Sequence, residues 1–423
     1  MKQNKITTLP RAIPLLLALL SLPFSMSNAV AQSSPAAAPA EVLRPPVQKS
    51  LMAAQELLKE KKYTEALALF TELDAIADQT TYERFMINSV RATIAQAAGD
   101  NALTVKSFEA LLASGRMNPG DQLKLVQQLG VRYYQLKNYA QAAANLSRFL
   151  KEAGDDRKMR ILMIQARYLN AEYPFVITEL RNLVGADEKE GKKPDLDLLQ
   201  LWGSSVQLST DKSGYVEVLE KFVIYYPKRD YWVDLLHRVE LQAGFADRLL
   251  LDLLRLQYAT KSMSAGSDYI ELAQSALSAG FPSEAKMVLD EGYAANLMAE
   301  GTPADIKARQ KLRDVVNKNA ADDLKTLANG EAGADKPGKD GNGLTNIGFA
   351  LVQIGQFDKG LALMERGIAK GLGKRVEDGK LHLGMAQAMA GKKDDALKTL
   401  ASVGGADGTA EIARYWAIHL KQK

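Results

Sequence analysis

Cysteine is absent from all 423 residues, which excludes disulfides, thiolate metal sites and lipid attachment through a cysteine. Histidine is nearly as scarce: His237, His382 and His419 are the only three and lie far apart in the chain. No HExxH, no close histidine pair and no carboxylate loop with metal-ligand spacing occurs, and neither a GxSxG elbow nor a GKS/GKT phosphate loop is present. GNGLTNIG, Gly341 to Gly348, lacks the third glycine at dinucleotide spacing and follows no strand pattern. The sequence therefore offers no catalytic residue, no cofactor site and no metal ligand. His382, beside Leu383, reads as a packed or edge histidine.

Excess charge is missing too. Three of the 54 Lys and Arg, and none of the 50 Asp and Glu, fall in residues 1–31, so the rest of the chain is balanced to within one charge. That balance gives no electrostatic footprint for nucleic acid. The mixed-sign run ADEKEGKKPD, Ala186 to Asp195, reads as a solvated connection. Long apolar runs are limited to Ala12 to Phe24, preceded by Lys2, Lys5 and Arg11 and followed by the small residues Ala29-Val30-Ala31. This is the pattern of a secretory signal, too short and too proline-broken to span a bilayer. With no lipidation cysteine after it, the expectation is a periplasmic protein of a Gram-negative cell, not a lipoprotein, with no stable membrane insertion after signal cleavage.

Proline is confined. Seven of the 14 lie at or before Pro46, and the Ala/Pro/Ser-rich segment that follows the signal reads as a flexible tether over 32–49. The other seven, Pro119, Pro174, Pro194, Pro227, Pro282, Pro303 and Pro337, fall between apolar-periodic segments or at their starts. No stretch alternates with a period of two between hairpin turns. An all-α chain of helices about 12 to 16 residues long, joined by short turns, is predicted.

What the chain does contain is a repeat. LGVRYYQLKNYAQAAANLSRFL, Leu129 to Leu150, recurs in spacing as IGFALVQIGQFDKGLALMERGI from Ile347 and as LGMAQAMAGKKDDALKTLASV from Leu383. Gly130, Gly348 and Gly384 align; twelve residues later come Ala142, Gly360 and Ala396, and four further on Leu146, Met364 and Leu400. Small residues at two fixed places on consecutive helices let the helices approach closely, and each hairpin leaves an apolar face for a neighbour to cover. Weaker second halves occur at Lys61 to Asp74, Ala98 to Leu112, Asn170 to Val184, Ser213 to Pro227, Phe245 to Leu256 and Ala279 to Gly292.

These copies resemble the tetratricopeptide repeat, with Tyr133, Leu351 and Gln387 at its first-helix tyrosine place and Tyr139, Phe357 and Lys393 at its turn aromatic. The resemblance implies a helical-hairpin solenoid, a right-handed superhelix of about nine repeats, several degenerate. The expected organisation is signal 1–31, tether 32–49, about seven hairpins over 50–300, a divergent helical insert with a Gly/Asp-rich loop over 301–343, two hairpins over 344–405, and a capping helix over 406–423. An enzymatic site within 301–343 would have Asp305, Asp314, Asp322, Asp323 and Asp335 to work with, but no histidine. In the family the first helix of each pair lines the concave side, where peptides dock. Position by position this places Gln127, Val131, Tyr134, Ile161, Gln165, Tyr168, Thr345, Phe349, Val352 and Met385 on a partner-binding face. The family's Lys/Asn clamp for C-terminal carboxylates is absent, since Gln127, Val131, Ile161 and Gln165 stand there. Tyr225, Tyr226, Tyr231 and Trp232 read as core between repeats, an exposed aromatic hot spot being the alternative.

Leu381 to Ile418, LHLGMAQAMAGKKDDALKTLASVGGADGTAEIARYWAI, further resembles periplasmic tetratricopeptide proteins associated with the TonB, ExbB and ExbD energy-transducing system. The resemblance implies a non-catalytic scaffold with a protein or peptide partner, components of that system being the candidates; a scaffold for polysaccharide export or cell-wall synthesis is the alternative.

Overall fold

Asn118 shows how one hairpin begins. Its side chain accepts from Asp121 N, Pro119 takes the first helical position where no N–H is needed, and a helix runs to Gln135. Lys137 then turns left-handed, and Asn138 N donates to Tyr133 O at 2.9 Å, the six-to-one bond that closes a helix C-terminus. Asn138 in turn caps the next helix, accepting from Gln141 N.

This turn recurs along the chain. The computed structural model describes residues 41–422, except the side chains of residues 328 and 329. Within it the same 2.9 Å bond closes Leu57 to Lys62, Ala95 to Asp100, Arg167 to Glu172, Ala276 to Phe281, Leu351 to Gln356 and Gln387 to Lys392. Identical closures between paired helices, with no strand among the described residues, make this an all-α helical-hairpin repeat protein.

The chain divides into two compact units, the first ending at Lys212 and the second beginning at Ser213. In the first, α1 (Pro45–Lys59) pairs with α2 (Tyr63–Asp74), α3 (Thr81–Ala98) with α4 (Asn101–Ala113), α5 (Pro119–Gln135) with α6 (Tyr139–Ala153), and α7 (Arg157–Leu169) with α8 (Tyr173–Lys189); α9 (Leu196–Leu208) packs on α8. The expected signal, residues 1–31, lies outside the described residues. The tether expected over 32–49 is helical from Pro45, because two adjacent prolines are tolerated in a first helical turn and Val47, Leu51 and Ala54 are buried behind them.

The second unit contains α10 (Tyr215–Tyr225), α11 (Arg229–Glu240), α12 (Leu250–Ala259), the pair α13 (Gly266–Ser278) and α14 (Pro282–Ala294), α15 (Pro303–Ala334), the pair α16 (Asn342–Gln353) and α17 (Phe357–Lys370), the pair α18 (Val376–Met389) and α19 (Lys393–Ala401), and α20 (Thr409–Lys421). The insert read over 301–343 is mostly one continuous helix of 32 residues, and its loop begins only after Ala334, not at Glu331. Packing overrides the glycines there: Arg366 reaches Glu331 and Asp335 at 2.7 Å each, while Arg313 pairs with Asp290 at 2.9 Å near the other end. The five aspartates of this segment serve local structure where bonds are seen: Asp305 accepts from Thr302 N, Gln310 donates to Asp314, and Lys325 meets Asp322.

Helix α20 does more than cover the last repeat. It packs on α18 and α19 and also on α12, and Tyr415 and Arg414 both reach Glu220 of α10. The loop before α12 is bound to the loop before α20 by Ala246 N donating to Asp407 O at 3.0 Å, and Arg248 joins Asp378 and Asp407 at 2.9 and 2.8 Å. The second unit thus closes on itself. Trp232 is 3% exposed and is core, while Tyr225, Tyr226 and Tyr231 are half-buried, Tyr231 stacking on Phe222 at 4.4 Å.

In the α5–α6 hairpin, Ala142 and Leu146 are fully buried while Gln141 is exposed, and a Cβ placed on Gly130 would lie 2.6 Å from Leu146 Cγ. Ala142→Leu is therefore expected to overpack and cost about 1–3 kcal/mol, whereas Gln141→Leu should change stability by less than about 0.5 kcal/mol. Equal shifts of the two in thermal denaturation would refute this register.

Candidate functional site

The residues placed on a common face by sequence part company in the structure. In the first unit the helices that open each hairpin leave a partly exposed strip. Gln127 and Val131 on α5, and Ile161, Gln165 and Tyr168 on α7, are all accessible there. Tyr134 is the exception: it is 6% exposed, its ring meets Tyr139 edge-on at 5.6 Å, and burial pushes its phenol up to about 12. Its place is in the seam towards Ala166, with which it shares a core cluster, so it supports the strip from beneath.

Two contacts absent from the sequence reading tie this strip together. Gln96 of α3 donates its amide to Gln128 Oε1 of α5 at 3.1 Å, and the Tyr168 hydroxyl bonds Ser204 of α9 at 2.7 Å, with Tyr173 edge-on to the same ring at 5.7 Å. Amide and hydroxyl groups, each holding spare donors and acceptors, alternate with aliphatic Val131 and Ile161. Such a surface can meet a polypeptide backbone and seat apolar side chains between the bonds.

In the second unit the matching residues are not on a surface. Thr345, Phe349, Val352 and Met385 are exposed by 3% or less, which corrects their assignment to a binding face. Thr345 and Val352 pack beside Gly367 and Gly360 of their own hairpin partner α17, and Phe349 is covered by Arg255 of α12 and Phe281 before α14. Arg255 lies against both rings, 4.9 and 4.6 Å from the Phe281 and Phe349 centroids, and the rings themselves meet edge-on at 5.6 Å. Its guanidinium gives two bonds to Glu284 and one to Asp252, each 2.8 Å, and Asp252 also meets His382 Nε2 of α18 at 2.9 Å. Burial alone would raise the Asp252 carboxyl, but His382 and Arg255 hold it below the ordinary carboxylate range. The Thr345 hydroxyl is likewise spent internally, donating to Gly341 O at 3.0 Å.

This cluster joins helices; it does not present a reactive group. Arg255, Asp252 and Glu284 are 3 to 4% exposed and satisfy one another. Among the described residues no group of three or more His, Cys, Asp or Glu could hold a metal ion, and no helix is long and apolar enough to cross a membrane. A cavity of about 330 Å³ opens between the turns before α12 and α20, lined by Gln242, Phe245, Gly405, Gly408, Glu411 and Arg414. Its polar side chains are already engaged with Glu220, Tyr415 and one another.

No family model matches the chain, and neither does any curated protein. Among solved structures, the chain is similar to one of Naa15/Naa10 bound to HypK-THB, at 14% identity over 85% of this chain and 64% of that one, TM-score 0.31. It is also similar to the TPR2AB domain of yeast Sti1 in its pHSP90 complex, at 14% identity over 71% and 99% of the two chains, TM-score 0.23. Yeast Tom70 gives 13% identity over 89% and 96%, TM-score 0.24. The chain spans just under two thirds of the Naa15/Naa10 chain it matches. At these levels the likeness adds nothing to the turns and contacts of the chain itself, which make it an all-α protein of repeated helical hairpins.

Proposed function

We propose that this protein is a non-catalytic scaffold of the periplasm whose first unit holds a polypeptide segment of a cell-envelope partner. The observation that carries this reading is the contrast between the units. The first keeps Gln127, Val131, Ile161, Gln165 and Tyr168 accessible along consecutive hairpins, whereas the second fills the equivalent positions with its own helices. An accessible strip of mixed amide and aliphatic character on rigid helices is what a peptide-binding surface requires.

The periplasmic location rests on the signal pattern of residues 1–31. The partner class rests on the resemblance of Leu381 to Ile418 to proteins associated with the TonB, ExbB and ExbD system. A photo-crosslinking amino acid at Gln165 in cells, followed by mass spectrometry, tests both. Capture of proteins of that system, lost when Ile161→Asp is introduced, is the expected result. Capture of export or cell-wall proteins would replace the partner class and keep the surface. Crosslinks indifferent to Ile161→Asp would remove the surface.

A further inference from the structure

Among the described arginines that are buried or partly buried, Arg132 stands apart; Arg309, which also meets no carboxylate, gives its bonds to the Met298 and Glu300 carbonyls. Arg91, Arg160, Arg167, Arg238 and Arg313 each meet a carboxylate, respectively Asp74, Glu179, Glu172, Asp234 and Asp290. Arg132 meets none among the described residues: its one bond is Nη1 to Gln135 Oε1 at 3.1 Å, on its own helix. Burial lowers its pKa with no carboxylate to oppose the effect. A guanidinium has five N–H donors, so most of its hydrogen-bonding capacity is unmet within the described chain.

Its position is at the edge of the accessible strip: Arg132 is half-buried and follows Gln128 by one turn, on the side of α5 where Gln128 meets Gln96 of α3, about 100° round the helix from Val131. The charge around it is one-sided. Helices α5 and α7 together carry six cations, Lys124, Arg132, Arg157, Lys158, Arg160 and Arg167, against one carboxylate, Asp121. Asp121 is engaged by Lys124 and Asn118, and three of the arginines are neutralised by α8 or its N-cap, leaving Arg132 and Lys158 without an acidic partner among the described residues.

We propose that Arg132 anchors a carboxylate, from an aspartate or glutamate, of the partner segment that lies along this strip, so that the surface selects acidic polypeptides. The proposal rests on the reading of the strip as a peptide site and adds the chemistry of its occupant. A partly desolvated arginine forms bidentate bonds to a carboxylate that are short and orientation-specific, and it steers acidic partners before contact. Lysine cannot reproduce the planar fork.

Selection from a random displayed-peptide library, run in parallel on the chain and on Arg132→Gln, tests it. Asp or Glu should be enriched at one position on the chain and not on the variant. A selected peptide should bind the variant about tenfold more weakly, the equivalent of about 1.4 kcal/mol, while its Gln analogue binds both alike. Arg132→Gln should melt no lower than the parent, because no internal ion pair is lost; a lower melting temperature would make Arg132 structural and overturn the proposal. Peptides enriched without an acidic position, or equally on both chains, would overturn it while leaving the strip as a binding site. No enrichment, or peptides indifferent to Ile161→Asp, would remove the strip and the proposal together.

Discussion

Arg255→Ala is expected to destabilise the second unit by about 3–5 kcal/mol, the cost of stranding buried charge. Asp252 and Glu284 are each 4% exposed and converge on the one guanidinium. Without it, among the described residues, Glu284 keeps no cationic partner and Asp252 only His382, and the three bonds to the guanidinium are lost beside the apolar rings of Phe281 and Phe349. Trp232 and Trp416 report on this unit and Trp202 on the first, so single-tryptophan variants should show the second unit unfolding at lower denaturant while the first is unmoved. His382→Gln removes only one bond, and its side chain is 20% exposed, so a loss of about 1 kcal/mol is expected. Converting the cluster jointly, with Arg255→Met, Asp252→Asn and Glu284→Gln, should recover much of the loss, since the expense lies in the uncompensated charge. Unchanged unfolding of Arg255→Ala would mean that the charges are not buried as described.

The repeat is legible in sequence because it is local. Small residues twelve positions apart, the turn, and the apolar period all sit within one hairpin, and backbone geometry translates them directly into contact. Phe349 and Met385 show where this stops. Both occupy the face position of Val131, one residue after the repeat glycine, yet both are buried, and what covers Phe349, Arg255 of α12 and Phe281 before α14, lies far away in the chain. The same distance hides the role of His382, whose partner Asp252 is 130 residues earlier. A signal does exist: in LLDLLRLQYA, Leu250 to Ala259, Asp252 and Arg255 interrupt a helix otherwise rich in leucine at a spacing of three. That spacing puts both on one buried face, where they require partners. Arg132 lacks even this signal, because an arginine among glutamines reads as solvated until the structure shows no carboxylate beside it. Gly330 and Gly333 suggest a loop where α15 in fact continues, because residue propensity is weak against packing on α16 and α17.

Glycine substitutions offer the second large effect, and its sign should reverse with position. At Gly348 an added Cβ would lie 2.5 Å from Gly360 O and 2.9 Å from Met364 N, and at Gly360 it would lie 2.6 Å from Gly348 O. One level along the same pair, a Cβ on Gly367 would be 2.4 Å from Thr345 Oγ1 and 2.6 Å from Gly341 O. Helices α16 and α17 therefore touch backbone to backbone at two levels, and no rotamer change can relieve an intruding methyl. Gly348→Ala should cost about 3 kcal/mol, at the upper end of the overpacking range, by forcing the two helices apart. Gly130→Ala should cost less, about 1 kcal/mol, because its closest obstacles are the Leu146 side-chain carbons, which can move. Gly185 provides the opposite case: it lies within α8, and a Cβ added there would have nothing within 4 Å, so Gly185→Ala should stabilise by roughly 0.5–1 kcal/mol through helix propensity alone. Denaturant unfolding of the three variants tests the ordering. If Gly348→Ala were tolerated as well as Gly185→Ala, the α16–α17 interface would have to be looser than direct backbone contact, and the small residues that recur at Gly130, Gly348 and Gly384 would no longer share a packing cause.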